Sequence, residues 1–570
     1  MKASPFHSWL SRQRYQWPRQ HAVLLVWIAL LVGSLWLSEL SRVPLINWNG
    51  GAVLSQFWLA MFRPALDGPF LSVIAQAVVT TFAFAVCGTV LSLCIGLVGG
   101  VLCSQVWWRV CWPGTVGASF GRLVRGMIAI PRAIHELIWG LLLLNVLGLD
   151  PIVGVLAIAI PFGAITAKVF SEILDETATE PLEALINSGV RPSVAFAYAH
   201  FPQALPNLIS YSFYRFECSL RAAAVLGVIG AGGLGEQISI SLDALRYEEL
   251  WTGFYALMLL NGCVDAWSAQ LRRQMGFVSR MDLGMRARNP ERNKIPSNQK
   301  PKSKPFVSGS LAFIALAIPL CFAYLNLEWA RLGRSSPFII EIAEKLTPAR
   351  VLPEFSYSLL PLALQTVAMA VIAITLAGIG GIIFSFPAAQ TFFLPGGLLG
   401  AAGETRRWGL GHVGLIAARI VLLGARAIPA PILALVILYG MFPGILPGAL
   451  ALAIHNFGIL GRLMAEVNEN LPDEPLRALR SLGASSSGIV FYGILPTNLS
   501  RFVGYILYRW EVCLRETVIV GLVGAGGLGR LMTEQLTSFN YSGLAATLTV
   551  FVLMTMAVDF VSGWMRAAIK

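Results

Sequence analysis

From end to end the chain breaks into apolar runs of helical membrane-crossing length, and this constrains its fold more than any other feature. A transmembrane helix needs about 20 mostly apolar residues. By that rule the 570 residues hold six candidate spans near 21–38, 72–103, 124–147, 151–171, 206–230 and 250–271. Six more follow near 306–327, 360–387, 411–440, 444–464, 500–524 and 544–566. Charged residues make up 13% of the chain, against about 25% in a soluble domain. Water is therefore not the main solvent of this fold, which is expected to be all-α and polytopic. The net charge of +12 is first a matter of orientation rather than of nucleic-acid binding, because its distribution is uneven.

The chain is also a duplication. Glu180-Pro181-Leu182-Glu183-Ala184-Leu185 returns as Glu474-Pro475-Leu476-Arg477-Ala478-Leu479, an offset of 474 − 180 = 294. The same offset carries Arg132-Ala133-Ile134 to Arg426-Ala427-Ile428, Gly230–Gly235 to Gly524–Gly529 and Val264-Asp265 to Val558-Asp559. Upstream the offset is 285, as from Thr81 to Thr366, so the second copy has nine extra residues (294 − 285) near 388–411. Each copy holds six spans, an even number, so the copies face the same way as a parallel repeat. Inverted repeats of secondary transporters usually need an odd number. The expected modules are 1–271 and 306–570, joined by a basic linker at 272–305.

Basic loops remain cytoplasmic. The stretch 271–305 carries ten Lys/Arg, Arg272 among them, against Asp282 and Glu291, with four prolines. It reads as a disordered cytoplasmic linker. The segment 236–249 has Glu236, Asp243, Glu248 and Glu249 against Arg246 alone and belongs outside. Lys2, Arg12, Arg14 and Arg19 precede the first apolar run without an acid. No small-residue cleavage site closes that run, which reads as an uncleaved first helix. Twelve spans with a cytoplasmic start put both termini inside. The eight cysteines form no C-x-x-C and act as small hydrophobes.

The longest repeated polar segments are 172–206 and 466–500. Each holds a short helical stretch, a glycine (Gly189, Gly483), a second stretch and, thirteen residues after the glycine, a proline (Pro202, Pro496). The pattern E-A-L-x-x-x-G followed by L-P resembles the coupling loop of ABC importer permeases. In that family the loop docks a short helix into a cleft of the ATP-binding subunit. Glu183, Ala184, Gly189 and Pro202 match in the first copy, and Ala478, Gly483, Leu495 and Pro496 in the second. The departures are Arg477, where the pattern has Glu, and Phe201, where it has Leu. If that glutamate makes a specific contact, the two docking sites differ in strength. The resemblance implies two parallel six-helix permease repeats with about twelve transmembrane helices. It also implies two copies of an ATP-binding subunit, an external substrate-binding protein, and ATP with Mg held on the partner rather than on this chain.

Charges interrupt the fifth span of each copy: Tyr214-Arg215-Phe216-Glu217-Cys218-Ser219-Leu220-Arg221, and Tyr508-Arg509-Trp510-Glu511-Val512-Cys513-Leu514-Arg515 with Glu516 added. Such charges are costly in lipid and face the bundle interior or a watery path. Two readings stand side by side. Glu217 and Arg221, four apart on one helix face, form an internal ion pair; or arginines of both copies attract an oxyanion, for which the planar guanidinium fork is suited. The run Y-R-x-E-x-x-x-R, then V-L-G or I-V-G, then G-A-G-G-L-G, resembles phosphonate-type permeases, whose relatives carry phosphite and phosphate. The resemblance covers about 130–272 and 424–566. It implies a substrate pathway at Arg215, Glu217, Arg221, Arg509, Glu511 and Arg515. Import of another anion or small metabolite, or ion-driven secondary transport, are the alternatives.

Gly230, Gly232, Gly233 and Gly235 satisfy G-x-G-x-x-G, as do Gly524, Gly526, Gly527 and Gly529. A dinucleotide site needs a preceding strand, whereas here a membrane helix precedes. We read a close-packed turn at the external mouth. There is no G-K-[ST] sequence for ATP hydrolysis, and no spacing of His or Cys that suggests a metal or a nucleophile. His135 and His455 lie in spans and read as packing residues. The expected setting is a bacterial cytoplasmic (inner) membrane.

Overall fold

A computed structural model of the chain describes residues 5–38, 47–275, 305–345, 347–393, 409–471 and 473–569. Every regular element among them is helical. In the first copy the helices are α1 (Pro5–Leu37), α2 (Gly51–Ala60), α3 (Gly68–Cys103), α4 (Gln105–Cys111), α5 (Thr115–Ala133), α6 (Glu136–Leu147), α7 (Pro151–Glu176), α8 (Glu180–Asn187), α9 (Pro192–Ala195), α10 (Phe201–Gly227), α11 (Leu234–Asp243) and α12 (Tyr247–Met275). In the second they are α13 (Pro305–Leu325), α14 (Ala330–Arg334), α15 (Ser336–Lys345), α16 (Pro348–Val351), α17 (Leu359–Ala388), α18 (Gln390–Phe393), α19 (Leu410–Ala427), α20 (Ala430–Gly440), α21 (Ile445–Glu469), α22 (Asp473–Ser481), α23 (Ser486–Gly488), α24 (Leu495–Val520), α25 (Gly527–Thr537) and α26 (Tyr541–Ile569). Six described helices are long and apolar enough to cross a membrane: α3, α7, α13, α17, α21 and α26. Helices occupy all twelve expected positions, although α10, α12 and α24 are not among these six.

The third span of each copy differs from expectation. In place of one helix over 124–147, α5 and α6 meet at 83°, and in place of one over 411–440, α19 and α20 meet at 96°. The cause is local. Ile134 and His135 are extended, and the His135 ring caps α6 by accepting from the Leu137 N–H at 3.2 Å. In the second copy Ile428 and Pro429 are extended, and His455 Nδ1 lies 3.2 Å from the Ile428 carbonyl. Both histidines thus belong to the bends.

The bent pair still returns the chain across the layer. Gly88, Gly96 and Gly100 of α3 are so close to Ile158, Thr166 and Phe170 of α7 that a Cβ on any of them would collide. The two series rise together, so α3 and α7 are parallel, and what joins them must traverse back. Gly380 against Phe457 and Gly381 against Leu460 repeat this for α17 and α21. Small residues are what allow membrane helices to approach this closely.

The modules at 1–271 and 306–570 describe the sequence repeat; the compact units are divided differently. One comprises residues 60–342, the other 1–59 with 343–570. In the first, α3, α7 and α10 share a core around Phe84, Ile158, Phe162 and Leu220, which Cys321 and Leu325 of α13 complete. Tyr324 hydroxyl lies 2.9 Å from Thr80 Oγ1, and Arg331 Nε is 3.0 Å from Asp150 Oδ2. In the second unit α1 packs on α17 and α26, with Trp27 edge-on to Trp510 at 5.2 Å. The first helix of each repeat is therefore part of the other repeat's core. The linker expected from 272 begins later: Arg272 and Met275 are still in α12, and residues 276–304 lie outside the described ones.

Candidate functional site

The charged run of α10 meets α12. Glu217 is 3% exposed, and its Oε1 accepts from Ser268 Oγ at 2.7 Å and from Arg272 Nη1 at 3.1 Å. In the second copy Arg566 Nη1 likewise donates to Glu511 Oε1 and to Ser562 Oγ, but Ser562 Oγ donates to the Leu507 carbonyl at 3.0 Å rather than to the carboxylate. The expected Glu217–Arg221 pair does not form; Arg221 Nη2 instead donates to Cys218 Sγ at 3.3 Å. Two charge-assisted donors from a neighbouring helix outweigh an i,i+4 pair, which contributes only about 0.2–0.5 kcal/mol. Arg515 Nε donates to the Glu511 carbonyl oxygen at 3.4 Å. The offset of 294 carries Ser268 to Ser562 and Arg272 to Arg566. That repetition was the available signal, hidden because Arg272 opens a basic run.

Arg215 and Arg509, equivalent in sequence, have opposite surroundings. Arg215 is 6% exposed midway along α10. Its Nη2 donates to the Tyr211 hydroxyl, its guanidinium lies 4.7 Å over the Phe162 ring and 5.4 Å over the Tyr211 ring, and its Nε has no partner. Among the described residues no carboxylate pairs with it. Arg509 donates to Glu516 Oε1 at 2.6 Å and to Asn456 Oδ1, and Asn456 Nδ2 donates to Glu516 Oε2 at 3.0 Å. Asn456 stands where the first copy has Phe162, and Glu516 where it has Ala222. The two arginines are therefore unlike: one is a buried cation with no acid beside it among the described residues, the other is neutralised.

The loops around Gly189 and Gly483 have the same backbone form in both copies. After α8, Gly189 has φ +87°, with Val190 N–H donating to Leu185 O at 3.1 Å and Gly189 N–H to Ile186 O at 2.9 Å. Gly483 has φ +84° after α22, with Ala484 N–H donating to Leu479 O at 3.1 Å. This left-handed helix stop suits glycine. Leu182 and Leu476 anchor the loops in buried clusters, while Glu183, Ala184, Arg477 and Ala478 are exposed. Glu183 Oε1 accepts from the Thr179 hydroxyl at 3.1 Å, a local contact. Pro202 and Pro496 sit in the first turns of α10 and α24, after π-helical turns over 196–200 and 489–494. On those turns Tyr198 and Tyr492 are 79% and 84% exposed.

Each glycine cluster is a tight reversal held to the second long helix of its copy. Leu234 N–H donates to Thr81 Oγ1 at 2.8 Å, and Leu528 N–H to Thr366 Oγ1 at 2.9 Å. A Cβ on Gly235 would overlap the Ala224 carbonyl, and one on Gly529 would lie 2.6 Å from the Val518 carbonyl oxygen. Gly230, Gly232, Gly233, Gly524, Gly526 and Gly527 all have positive φ. Helices α10 and α24 precede these turns, so the dinucleotide fingerprint does not apply. Thr81 and Thr366 were visible only as an offset in the sequence.

Residues 114–276 and 360–570 match the family described as binding-protein-dependent transport system inner membrane component. The chain belongs to this family. It is a multi-pass membrane permease, the transport subunit of an ABC-type importer, and carries the domain twice. This sets aside ion-driven transport. The chain is 28% identical over 92% of its length to the phosphate-import permease protein PhnE of Mycolicibacterium smegmatis, covering 91% of that protein. It is 28% identical to the phosphite transport system permease protein PtxC of Stutzerimonas stutzeri over 46% of this chain and 89% of the relative. Among solved structures, inward-facing MetNI methionine ABC transporter matches 36% of this chain and 98% of its own at 21% identity, with a TM-score of 0.32.

Proposed function

We propose that this permease admits a phosphorus oxyanion (phosphonate, phosphite or phosphate) and that Arg215 is the cation that attracts it. The carrying observation is a guanidinium 6% exposed at mid-helix with no carboxylate and an unpartnered Nε. A buried ion lacking a partner costs several kcal/mol, and an ionisable group in a membrane helix marks a substrate path. An oxyanion would supply the missing acceptor. Tyr211 and Phe162 fix the fork from one side, leaving Nε for cargo. The relatives' names, a phosphate-import permease and a phosphite transport permease, support the same class of cargo.

In this reading the loops around Gly189 and Gly483 each dock one copy of an ATP-binding subunit, which holds ATP and Mg, and an external binding protein delivers cargo near the glycine turns. Both termini are cytoplasmic. Leu182, Phe196, Phe170 and Tyr211 belong to one buried cluster, which supports mechanical communication from the first docking loop to the residue bonded to Arg215. Glu217 and Glu511 hold helix packing.

The test is ATP-driven uptake in proteoliposomes containing the ATP-binding subunit and receptor, against a panel of phosphonate, phosphite and phosphate. R215L abolishes uptake while the complex still assembles, and R215K retains part of it. Unchanged uptake in R215L would overturn the assignment. Uptake without any ATP-binding subunit would overturn the energy source.

A further inference from the structure

Helices α4 and α5 line a basic cavity apart from the charged run of α10. It has a volume of about 350 Å³ and is lined by Gln105, Trp108, Arg109, Gly121, Arg122 and Arg125 among others. Arg125 is committed: it donates to the Cys103 carbonyl at 2.6 Å and to Asp175 Oδ2 at 2.8 Å. Asp175 also accepts from Ser104 Oγ and the Val106 N–H, so its charge is answered. Arg122 makes only neutral contacts, to Ala118 O and Ser119 Oγ. Arg109 is exposed and has no acidic partner among the described residues. Two uncompensated cations thus face one cavity at the end of α7 from which the docking loop leaves.

The flank of this cavity is apolar. Val116, Phe120, Leu123, Met127 and Ile130 are all exposed and recur at helical spacing along α5, an amphipathic face of the kind that lies in a membrane interface. Trp108 stacks on Trp112 at 5.9 Å and tilts against Phe120 at 5.2 Å; tryptophan collects at the headgroup level. Cations, an enclosed space and an adjoining apolar stripe together match a headgroup phosphate with its acyl chains.

We propose that this cavity seats the phosphate of an anionic phospholipid, with Arg109 and Arg122 as its partners and the chains along α5. The site is confined to the first copy among the described residues. Gly121 becomes Leu415 and Arg122 becomes Ile416 at the offset of 294. A Cβ on Gly121 would already lie 2.8 Å from the Trp108 ring, so a leucine there fills the space.

The experiment is native mass spectrometry of the full chain, extracted and titrated with phosphatidylglycerol or phosphatidylcholine, for wild type and R109Q/R122Q. Wild type retains one tightly held phosphatidylglycerol in preference to phosphatidylcholine. Each arginine near a headgroup contributes roughly fivefold, so the double variant loses that preference by about 30-fold. Both residues are exposed, so the variant folds, which size-exclusion of the assembled chain checks. Equal retention of phosphatidylglycerol by both proteins overturns the proposal. So does inorganic phosphate that binds wild type, but not the variant, in place of the lipid: the cavity would then serve a free anion.

Discussion

Replacing Arg215 and Arg509 separately by leucine should shift stability in opposite directions. R509L strips Glu516, 13% exposed, of the Arg509 guanidinium, while Asn456 Nδ2 still donates to it at 3.0 Å. Breaking one side of a buried pair costs about 3–5 kcal/mol. R215L strands no charge. It removes a hydrogen bond to Tyr211 and ring contacts to Phe162 and Tyr211, together worth roughly 2–4 kcal/mol. It also relieves the burial of an unpaired ion, a penalty of several kcal/mol. The net for R215L is near zero or stabilising. Thermal unfolding of the purified chain followed by tryptophan fluorescence reads both. The double variant R509L/E516A should recover at least half of the R509L loss, because removing both members of a buried pair is close to neutral. Uptake completes the contrast: R215L is stable and inactive. An R215L protein as destabilised as R509L would show that Arg215 is a packing residue with a counter-charge, and the oxyanion argument would fail.

Three further outcomes follow from the geometry. E217Q leaves Arg272 buried beside a neutral amide and should lower unfolding stability by about 2–4 kcal/mol, more than E511Q, because Arg566 is 30% exposed against 9% for Arg272. T81V deprives the buried Leu234 N–H of its acceptor and should cost about 1–3 kcal/mol, read as faster hydrogen exchange in the glycine turn. G189V forces a β-branched residue to φ +87° where no neighbouring atom lies within 4 Å; a local cost of about 1–2 kcal/mol should leave the chain folded but weaken pull-down of the ATP-binding subunit.

Much of this was legible because duplication doubles every signal. The loop glycines Gly189 and Gly483, the prolines that open α10 and α24, and the charged fifth span all appeared twice at one offset. Three things were not. The bend in the third span hides in an apolar run whose hydropathy continues across it; only the extended pairs Ile134–His135 and Ile428–Pro429 mark it. Glu217 found Arg272, 55 residues away, because local spacing favours Arg221 while helix packing decides. The contrast between Arg215 and Arg509 rests on Glu516, which the sequence shows, and on Asn456 in place of Phe162, residues of another helix whose relevance appears only when α7 meets α10 and α21 meets α24.

The crossed ownership of α1 and α13 has a consequence for synthesis. Helix α1 ends at Leu37 and the helix it packs on, α17, begins at Leu359, so 322 residues (359 − 37) must be made before that partner exists. Until then α1 waits in the bilayer with one flank against lipid. Contacts so distant along the chain form late, and the nascent first repeat stands open wherever α13 will later sit. Covalent joining guarantees that each waiting helix receives its mate from the same molecule, in equal number, without a search among strangers.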